Sequence, residues 1–243
     1  MNGVVEFHNT WSSVLGLALF GLIGLVKGNP TKEVRYTLGY FVLMMIGLGS
    51  AGLHGTLHWV FQSSDELPMI YLVTQMNFMA VEFDSPRGKP KYPRLPLMLT
   101  ILMIINTLVY YKFQHLYLVF IGTYTVASTY HTYLVYKLVY STNSGGQVSR
   151  KLCQLSQISY LGIGLPFWLL DMFHCDWFLS HFAGYSMGMT FHVIWHFAAG
   201  YGAYLGLVSL ENCRVMALGL PCRMEYLFGV IPYIALVEDS KDD

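Results

Sequence analysis

Charged residues are scarce in this sequence: only 12% of its 243 residues are Asp, Glu, Lys or Arg, whereas soluble domains carry about a quarter. The fourteen basic and fourteen acidic side chains balance, so net charge gives no bias toward nucleic acid. No internal repeat, low-complexity segment or hydrophilic linker divides the chain, which indicates a single domain over residues 1–243. Hydrophobic residues make up 54% and the mean hydropathy is +0.46. This composition predicts an integral membrane protein.

Seven apolar runs follow one another, and each is close to the roughly 20 residues that a helix needs to cross a bilayer. They cover about 11–26, 36–59, 67–83, 95–111, 116–140, 155–173 and 187–210. The runs lack the alternation of a strand barrel, and no basic segment marks the first as a signal peptide. Asp65 and Pro68 suit the start of the third run as N-cap and first-turn residue. The predicted fold is an all-α membrane protein, a seven-transmembrane helix bundle.

The basic residues predict the orientation of this bundle. With seven spans, Lys112 is the single basic residue on the side of the N-terminus, and the other thirteen of the fourteen Lys and Arg lie on the opposite side. The positive-inside rule therefore predicts a lumenal or extracellular N-terminus and a cytosolic C-terminus. The tail at residues 238–243 is expected in the cytosol.

Three histidines are candidate metal ligands. His192 and His196 are four residues apart and share one helical face, and His54 lies near the end of another run, four residues after Ser50. In the predicted topology all three fall in the lumenal half, together with the carboxylates of Asp65 and Asp171. Three histidines with an open fourth position are typical of catalytic zinc sites. The pattern predicts a zinc hydrolase within the membrane.

Each candidate also has a structural interpretation. A membrane histidine can form an interhelical hydrogen bond, Ser50 suits a contact between small residues, and Asp65 can cap a helix. Asp171, within an apolar run, requires a partner. The remaining histidines are interpreted as interfacial or structural: His8, His58, His115, His131, His174 and His181.

The motifs Gly49-Ser50-x-x-x-His54, Asp65-Glu66-Leu67-Pro68 and Phe191-His192-x-x-x-His196 occur in this order between Val5 and Ile234. Trp168-x-x-Asp171-x-x-x-Cys175 and Phe228-Gly229-x-x-Pro232 support them. The set resembles the alkaline ceramidases. That resemblance implies a zinc amidase of endoplasmic reticulum or Golgi membranes that cleaves ceramide to sphingosine and a free fatty acid, with ceramide and membrane lipids as its partners.

The resemblance also implies roles for individual residues. His54, His192 and His196 would bind zinc, Ser50 would stabilise the oxyanion, and Asp65 would transfer protons. A wider superfamily shares this scheme, which leaves a second hypothesis open: a lipid-sensing receptor without turnover, or a lipid hydrolase of different specificity. The Ser50, Asp65 and three-histidine set favours the enzyme.

The N-terminus departs from the family pattern. Alkaline ceramidases carry an acidic, aromatic segment before the first helix that supplies most of a calcium site. Glu6 matches its last ligand and no other residue here matches the rest, so Glu6 is expected as a residual ligand that cannot hold Ca²⁺ alone. Cys175 is then the only lumenal cysteine, because the others lie on the cytosolic side. A shortened member with lowered activity and stability is expected.

Overall fold

The computed structural model describes residues 4–113, 115–181 and 190–237. The predicted start of the seventh span at 187 and the tail at 238–243 lie outside these residues. Within them the chain forms seven helical runs: α1 Phe7–Lys27, α2 Val34–Thr56, α3 Trp59–Val81, α4 Leu95–Lys112, α5 Tyr117–Tyr136, α6 Gly146–His181 and α7 Phe191–Ala217. π-Helical turns interrupt α1 at Val14–Ala18 and α6 at Ile158–Gly164.

Five of the described helices, α1, α2, α4, α6 and α7, are long and apolar enough to cross a membrane. The other two carry more polar residues, among them Asp65 and Glu66 in α3 and Ser128 and His131 in α5. The chain is therefore mostly helical, with several helices suited to a bilayer. Helix α6 extends well beyond residues 155–173 at both ends and bends at His174, whose backbone is non-helical. Helix α2 instead ends at Thr56, before the predicted end of the second run at 59.

The predicted start of the third span at Leu67 was wrong. Helix α3 begins at Trp59, and its N-cap is His58, whose ring Nδ1 accepts a hydrogen bond from the Val60 N–H at 3.3 Å. Asp65 therefore lies within the helix, so it is not a cap. Pro68 is also internal and leaves the Ser64 carbonyl without a helical donor. The polar first turns of α3 are accommodated because they pack against α2, where the chain carries the small residues that close packing requires.

Two close backbone approaches bring the helices of the site together. A Cβ atom at Gly49 of α2 would lie 2.1 Å from the Ser64 carbonyl oxygen of α3. A Cβ at Gly200 of α7 would lie 1.7 Å from the Gly16 carbonyl oxygen of α1. Glycine at these crossings lets backbone pack against backbone, as is common between membrane helices. Helix α7 is the most buried and contacts α1, α2 and α6, whereas α4 exposes most of its surface.

A two-stranded antiparallel hairpin follows α7, and the sequence analysis did not predict it. Strand β1 is Cys222–Leu227, strand β2 is Ile231–Leu236, and Leu227 pairs with Ile231 across the turn. Phe228 and Gly229 turn the chain with positive φ values of 51° and 74°. Tyr204 of α7 donates a hydrogen bond to the Pro232 carbonyl at 2.8 Å and ties the hairpin to the helix core.

Candidate metal centre

The C-terminal end of α2 and the N-terminal end of α7 bring three imidazoles together. One ligand atom from each of His54, His192 and His196 lies within 4.8 Å of the others. The ring centroids are 5.0 Å apart for His54 and His192, 5.1 Å for His54 and His196, and 4.6 Å for His192 and His196. His196 is 1% exposed and His54 is 8% exposed. Among the described residues, these form the one group of three or more His, Cys, Asp or Glu side chains close enough to share an ion.

Each imidazole has a polar neighbour at its Nδ1 atom. The His54 Nδ1 contacts Glu6 Oε2 at 2.5 Å, and His192 Nδ1 lies 3.6 Å from Asp171 Oδ2 of α6. The His196 Nδ1 lies 2.8 Å from the Ser12 hydroxyl. Partners of this kind fix the orientation and tautomer of metal-binding histidines. The Nε2 atom of each ring remains available as a metal ligand.

The His54 Nε2 atom tests whether the site suits a metal. This nitrogen is buried and has no hydrogen-bond partner within the described part of the chain. A buried polar atom without a partner is costly, and a cation shared with the two neighbouring histidines can satisfy this nitrogen. Three imidazoles with polar neighbours at Nδ1 form a donor set of the kind found in catalytic zinc sites, which keep a fourth position for water or substrate. The residues therefore fit a zinc ion.

Ser50 and Asp65 extend the cluster on one side. The Ser50 hydroxyl, 1% exposed, lies 3.4 Å from His196 Nε2 and accepts a hydrogen bond from Ser13 at 3.0 Å. The Asp65 carboxylate lies close enough to Ser50 and to His54 to interact with both. Helix α3 presents Asp65 to the site from its second turn. A hydroxyl donor and a carboxylate thus flank the three imidazoles.

Glu6 is fixed at the site by the backbone as well as by its side chain. The Glu6 N–H donates to the His54 carbonyl at 3.0 Å, and the Val5 N–H donates to the Gly55 carbonyl at 3.3 Å. These bonds tie the start of α1 to the end of α2. The hydrogen bond from His54 holds the pKa of Glu6 below its ordinary value, although partial burial opposes it. The carboxylate that was expected as a residual calcium ligand therefore contacts a candidate metal ligand.

The structure brings together every residue that the sequence singled out for the site: Ser50, His54, Asp65, His192, His196 and Glu6. It also adds two that the sequence analysis had not placed there, Ser12 and Ser13. Asp171, predicted to require a partner, lies beside His192. The sequence analysis missed Ser12 and Ser13. Two adjacent hydroxyls at the start of the first apolar run could have indicated them.

Comparison with known proteins places this chain in a family. The family model described as Ceramidase matches residues 1–235. The chain belongs to the ceramidase family. The mouse protein named alkaline ceramidase 3 is 28% identical over 250 residues, covering 98% of this chain and 88% of that protein. An alkaline ceramidase of Arabidopsis thaliana is 26% identical, covering 96% and 87%. The yeast alkaline ceramidase YPC1 is 27% identical, covering 90% and 75%.

The predicted resemblance to the alkaline ceramidases is thus confirmed over most of the chain. In this ceramidase-family chain the histidine cluster lies within the matched residues and at the ends of two helices of membrane-spanning length. The site is accordingly suited to a substrate that resides in a membrane.

Proposed function

We propose that this chain is a zinc-dependent amidase of the membrane that hydrolyses ceramide to sphingosine and a free fatty acid. One observation carries the proposal: three imidazoles converge beside Ser50 and Asp65 in a chain matched by the ceramidase family over residues 1–235. His54, His192 and His196 would hold the zinc ion. Bound there, zinc would supply Lewis-acid activation of a water molecule and of the scissile carbonyl.

Asp65 is the candidate proton carrier because it lies next to the cluster and can reach it through Ser50. It would accept a proton as the water oxygen bonds to the carbonyl carbon. It would return that proton to the nitrogen as the carbon–nitrogen bond breaks, which releases sphingosine as an amine. A single carboxylate can serve both steps because the proton that it takes is the one that the leaving group needs.

Ser50 is the candidate oxyanion donor. Its hydroxyl lies at hydrogen-bonding distance from the His196 imidazole. Its oxygen accepts a hydrogen bond from Ser13, which leaves its proton free to be donated elsewhere. When substrate is bound, this hydroxyl would turn its proton to the carbonyl oxygen as negative charge develops there. Loss of one such donor costs on the order of a hundredfold or more in turnover.

The membrane setting belongs to the proposal too. We place the site in the lumenal half of a seven-span bundle in the endoplasmic reticulum or Golgi membrane, with Lys112 as the one lumenal basic residue. A two-chain lipid could then reach the site without leaving the bilayer.

The direct test is incubation of purified protein with ceramide, with released sphingosine as the measurement. We expect turnover in the native chain, none in His192→Ala, and a loss of about a hundredfold in Ser50→Ala with zinc retained. Ser209→Ala is a matched control, because Ser209 is equally buried but bonds Ser149 at the other end of α7. A chain that binds zinc but releases no sphingosine would favour the lipid-sensing receptor.

A further inference from the structure

The end of the bundle opposite the histidine cluster carries a cleft of about 500 Å³. Its walls are the α1–α2 connection, the end of α3, the connection from α3 to α4, and Arg214 near the end of α7. Arg35 and His54 lie at opposite ends of α2, so the cleft and the histidine cluster are about 30 Å apart at 1.5 Å per residue. This distance is close to the thickness of a bilayer's hydrocarbon core. The cleft therefore lies at the other membrane interface.

Five basic and two acidic side chains line the cleft, which gives it a net charge of +3. Both carboxylates are committed to internal contacts. Glu33 pairs with Arg214 at 2.7 Å and with Arg35 at 2.6 Å. Glu82, 1% exposed, accepts hydrogen bonds from the backbone N–H groups of Lys91 and Tyr92 at 2.8 and 2.7 Å. Their negative charge thus stabilises the walls of the cleft.

Three cations are left to face its opening. Lys32, Arg87 and Lys89 are exposed, and none of them forms an ion pair within the described part of the chain. Lys32 holds a left-handed backbone with φ of 55°, a conformation that costs energy in a residue with a side chain. Uncompensated positive charges around one concave surface form a site for an anion.

The loop that carries Arg87 and Lys89 is held in place at both ends. Arg214, 1% exposed, donates to the carbonyl oxygens of Phe83 at 3.0 Å and of Ser85. At its far end the loop is anchored to Glu82 through the Lys91 N–H. Within the loop, the Lys89 N–H donates to the Pro86 carbonyl at 3.1 Å, and Gly88 turns the chain with φ of 70°. The backbone that carries the two cations is therefore fixed before any ligand arrives, which lowers the entropy lost on binding.

We propose that this cleft binds the phosphate group of an anionic phospholipid. The chemistry required is a phosphate ester between Lys32, Arg87 and Lys89. The position favours a lipid over a soluble phosphate, because the same loop leads into α4, whose side chains Leu97 and Met98 are each 63% exposed. Acyl chains could lie along this apolar helix while the headgroup occupies the cleft. Basic pockets beside membrane helices bind phosphorylated headgroups in this manner.

The test is thermal unfolding of the purified full chain in detergent with three probes. These are dioctanoyl phosphatidylinositol 4-phosphate, soluble inositol 1,4-bisphosphate and dioctanoyl phosphatidylcholine. A ligand that binds the folded state raises the melting temperature according to its Kd. We expect the phosphorylated lipid to raise it and phosphatidylcholine to leave it unchanged. Inositol 1,4-bisphosphate distinguishes a lipid headgroup from a soluble phosphate. If it raises the melting temperature as much as the phosphorylated lipid does, the site binds soluble phosphate esters and the lipid assignment is wrong. A smaller rise supports the lipid.

Two double variants of equal charge change make the test specific. Arg87→Gln with Lys89→Gln should raise the Kd of the phosphorylated lipid about tenfold or more. Lys137→Gln with Lys151→Gln removes two exposed cations elsewhere and should leave it unchanged. Equal losses in both, or no shift with either phosphate probe, would overturn the proposal. Ceramide turnover in pure phosphatidylcholine should be the same for both variants, so a failure of the cleft is distinguishable from a failure of the proposed activity.

Discussion

At the residue scale, the candidate site is organised by what holds the Nδ1 atom of each imidazole. A carboxylate bonds His54, a hydroxyl lies at hydrogen-bonding distance from His196, and the Asp171 carboxylate lies 3.6 Å from His192. A histidine donating Nδ1–H to a carboxylate presents a more basic Nε2 and a fixed ring plane. The three partners come from α1 and α6, whereas the histidines come from α2 and α7. Four helices must therefore assemble before the three nitrogens converge.

Removal of one histidine tests the metal assignment. We expect His196→Ala to lose zinc and ceramide turnover together, because two imidazoles do not hold the ion as three do. His58→Ala is the control: His58 is exposed and caps α3 through Val60. Elemental analysis should give one zinc per chain for the native and His58→Ala proteins. Full occupancy in His196→Ala would show the ligand assignment to be wrong.

Removal of a positioning carboxylate should weaken zinc binding without abolishing it. We expect Asp171→Ala and Glu6→Ala each to lower zinc affinity about 10- to 100-fold, the range typical of outer partners of metal ligands. Competition with a chelator measures this without reference to turnover.

The conservative and control variants sharpen this test. Asp171→Asn keeps an oxygen acceptor for His192 and should lose less affinity than Asp171→Ala. Glu225→Ala removes a carboxylate that bonds Tyr233 in the distant hairpin and should leave zinc affinity unchanged. Native affinity in both alanine variants would contradict a positioning role.

At the scale of the elements, the crossing of α1 and α7 determines where Ser12 meets His196. The two backbones approach at Gly16 and Gly200, one helical turn beyond the histidine. A similar approach of α2 and α3 at Gly49 brings Asp65 to Ser50. The small residues of the sequence are thus part of the site's geometry even though they contribute no ligand.

A methyl group at the α1–α7 crossing should separate these helices. We expect Gly200→Ala to destabilise the fold by about 1–3 kcal/mol, since the added Cβ meets backbone that cannot rotate away. Zinc affinity should fall with it, because His196 lies on the displaced face. Gly122→Ala in α5 is the control: it makes the same substitution within a helix, but its new Cβ would have no described atom within 4 Å. Its melting temperature should stay level or rise, and equal effects of the two changes would contradict the packing argument.

At the scale of the whole molecule, the two sites lie at opposite ends of α2 and α7. The histidine cluster occupies one end, and the basic cleft with Arg35 and Arg214 occupies the other. The separation of about 30 Å along α2 matches a bilayer. The distribution of charge is therefore polarised along the bundle axis.

This polarity predicts the orientation in the membrane. We expect a glycosylation reporter fused before residue 4 to be modified and one fused after residue 237 to remain unmodified. The reason is that, in a seven-span arrangement, thirteen of the fourteen basic residues lie on the same side of the membrane as the C-terminus. Protease protection of the two fusions in sealed microsomes provides an independent measurement. A modified C-terminal reporter would reverse the assignment of both sites to their compartments.

The sequence by itself determined the class of the molecule and the identity of its central residues. Low charge and successive apolar runs indicated a membrane protein because hydrocarbon excludes unpaired charge. The spacing of His192 and His196 placed both on one helical face because the helix period is fixed by the backbone. The ordered motifs pointed to the ceramidase family, which the comparison confirms.

Only the tertiary structure decided which side chains contact the site histidines and where the helices begin. The start of α3 at Trp59, the pairing of Asp171 with His192, and the contact of Ser12 with His196 depend on how helices cross. Such contacts join residues up to 184 positions apart, and their geometry follows from side-chain packing that no local pattern encodes. The hairpin after α7 was missed for the same reason, because its strands are short and are fixed by contacts with the helix core, such as the bond from Tyr204 to the Pro232 carbonyl.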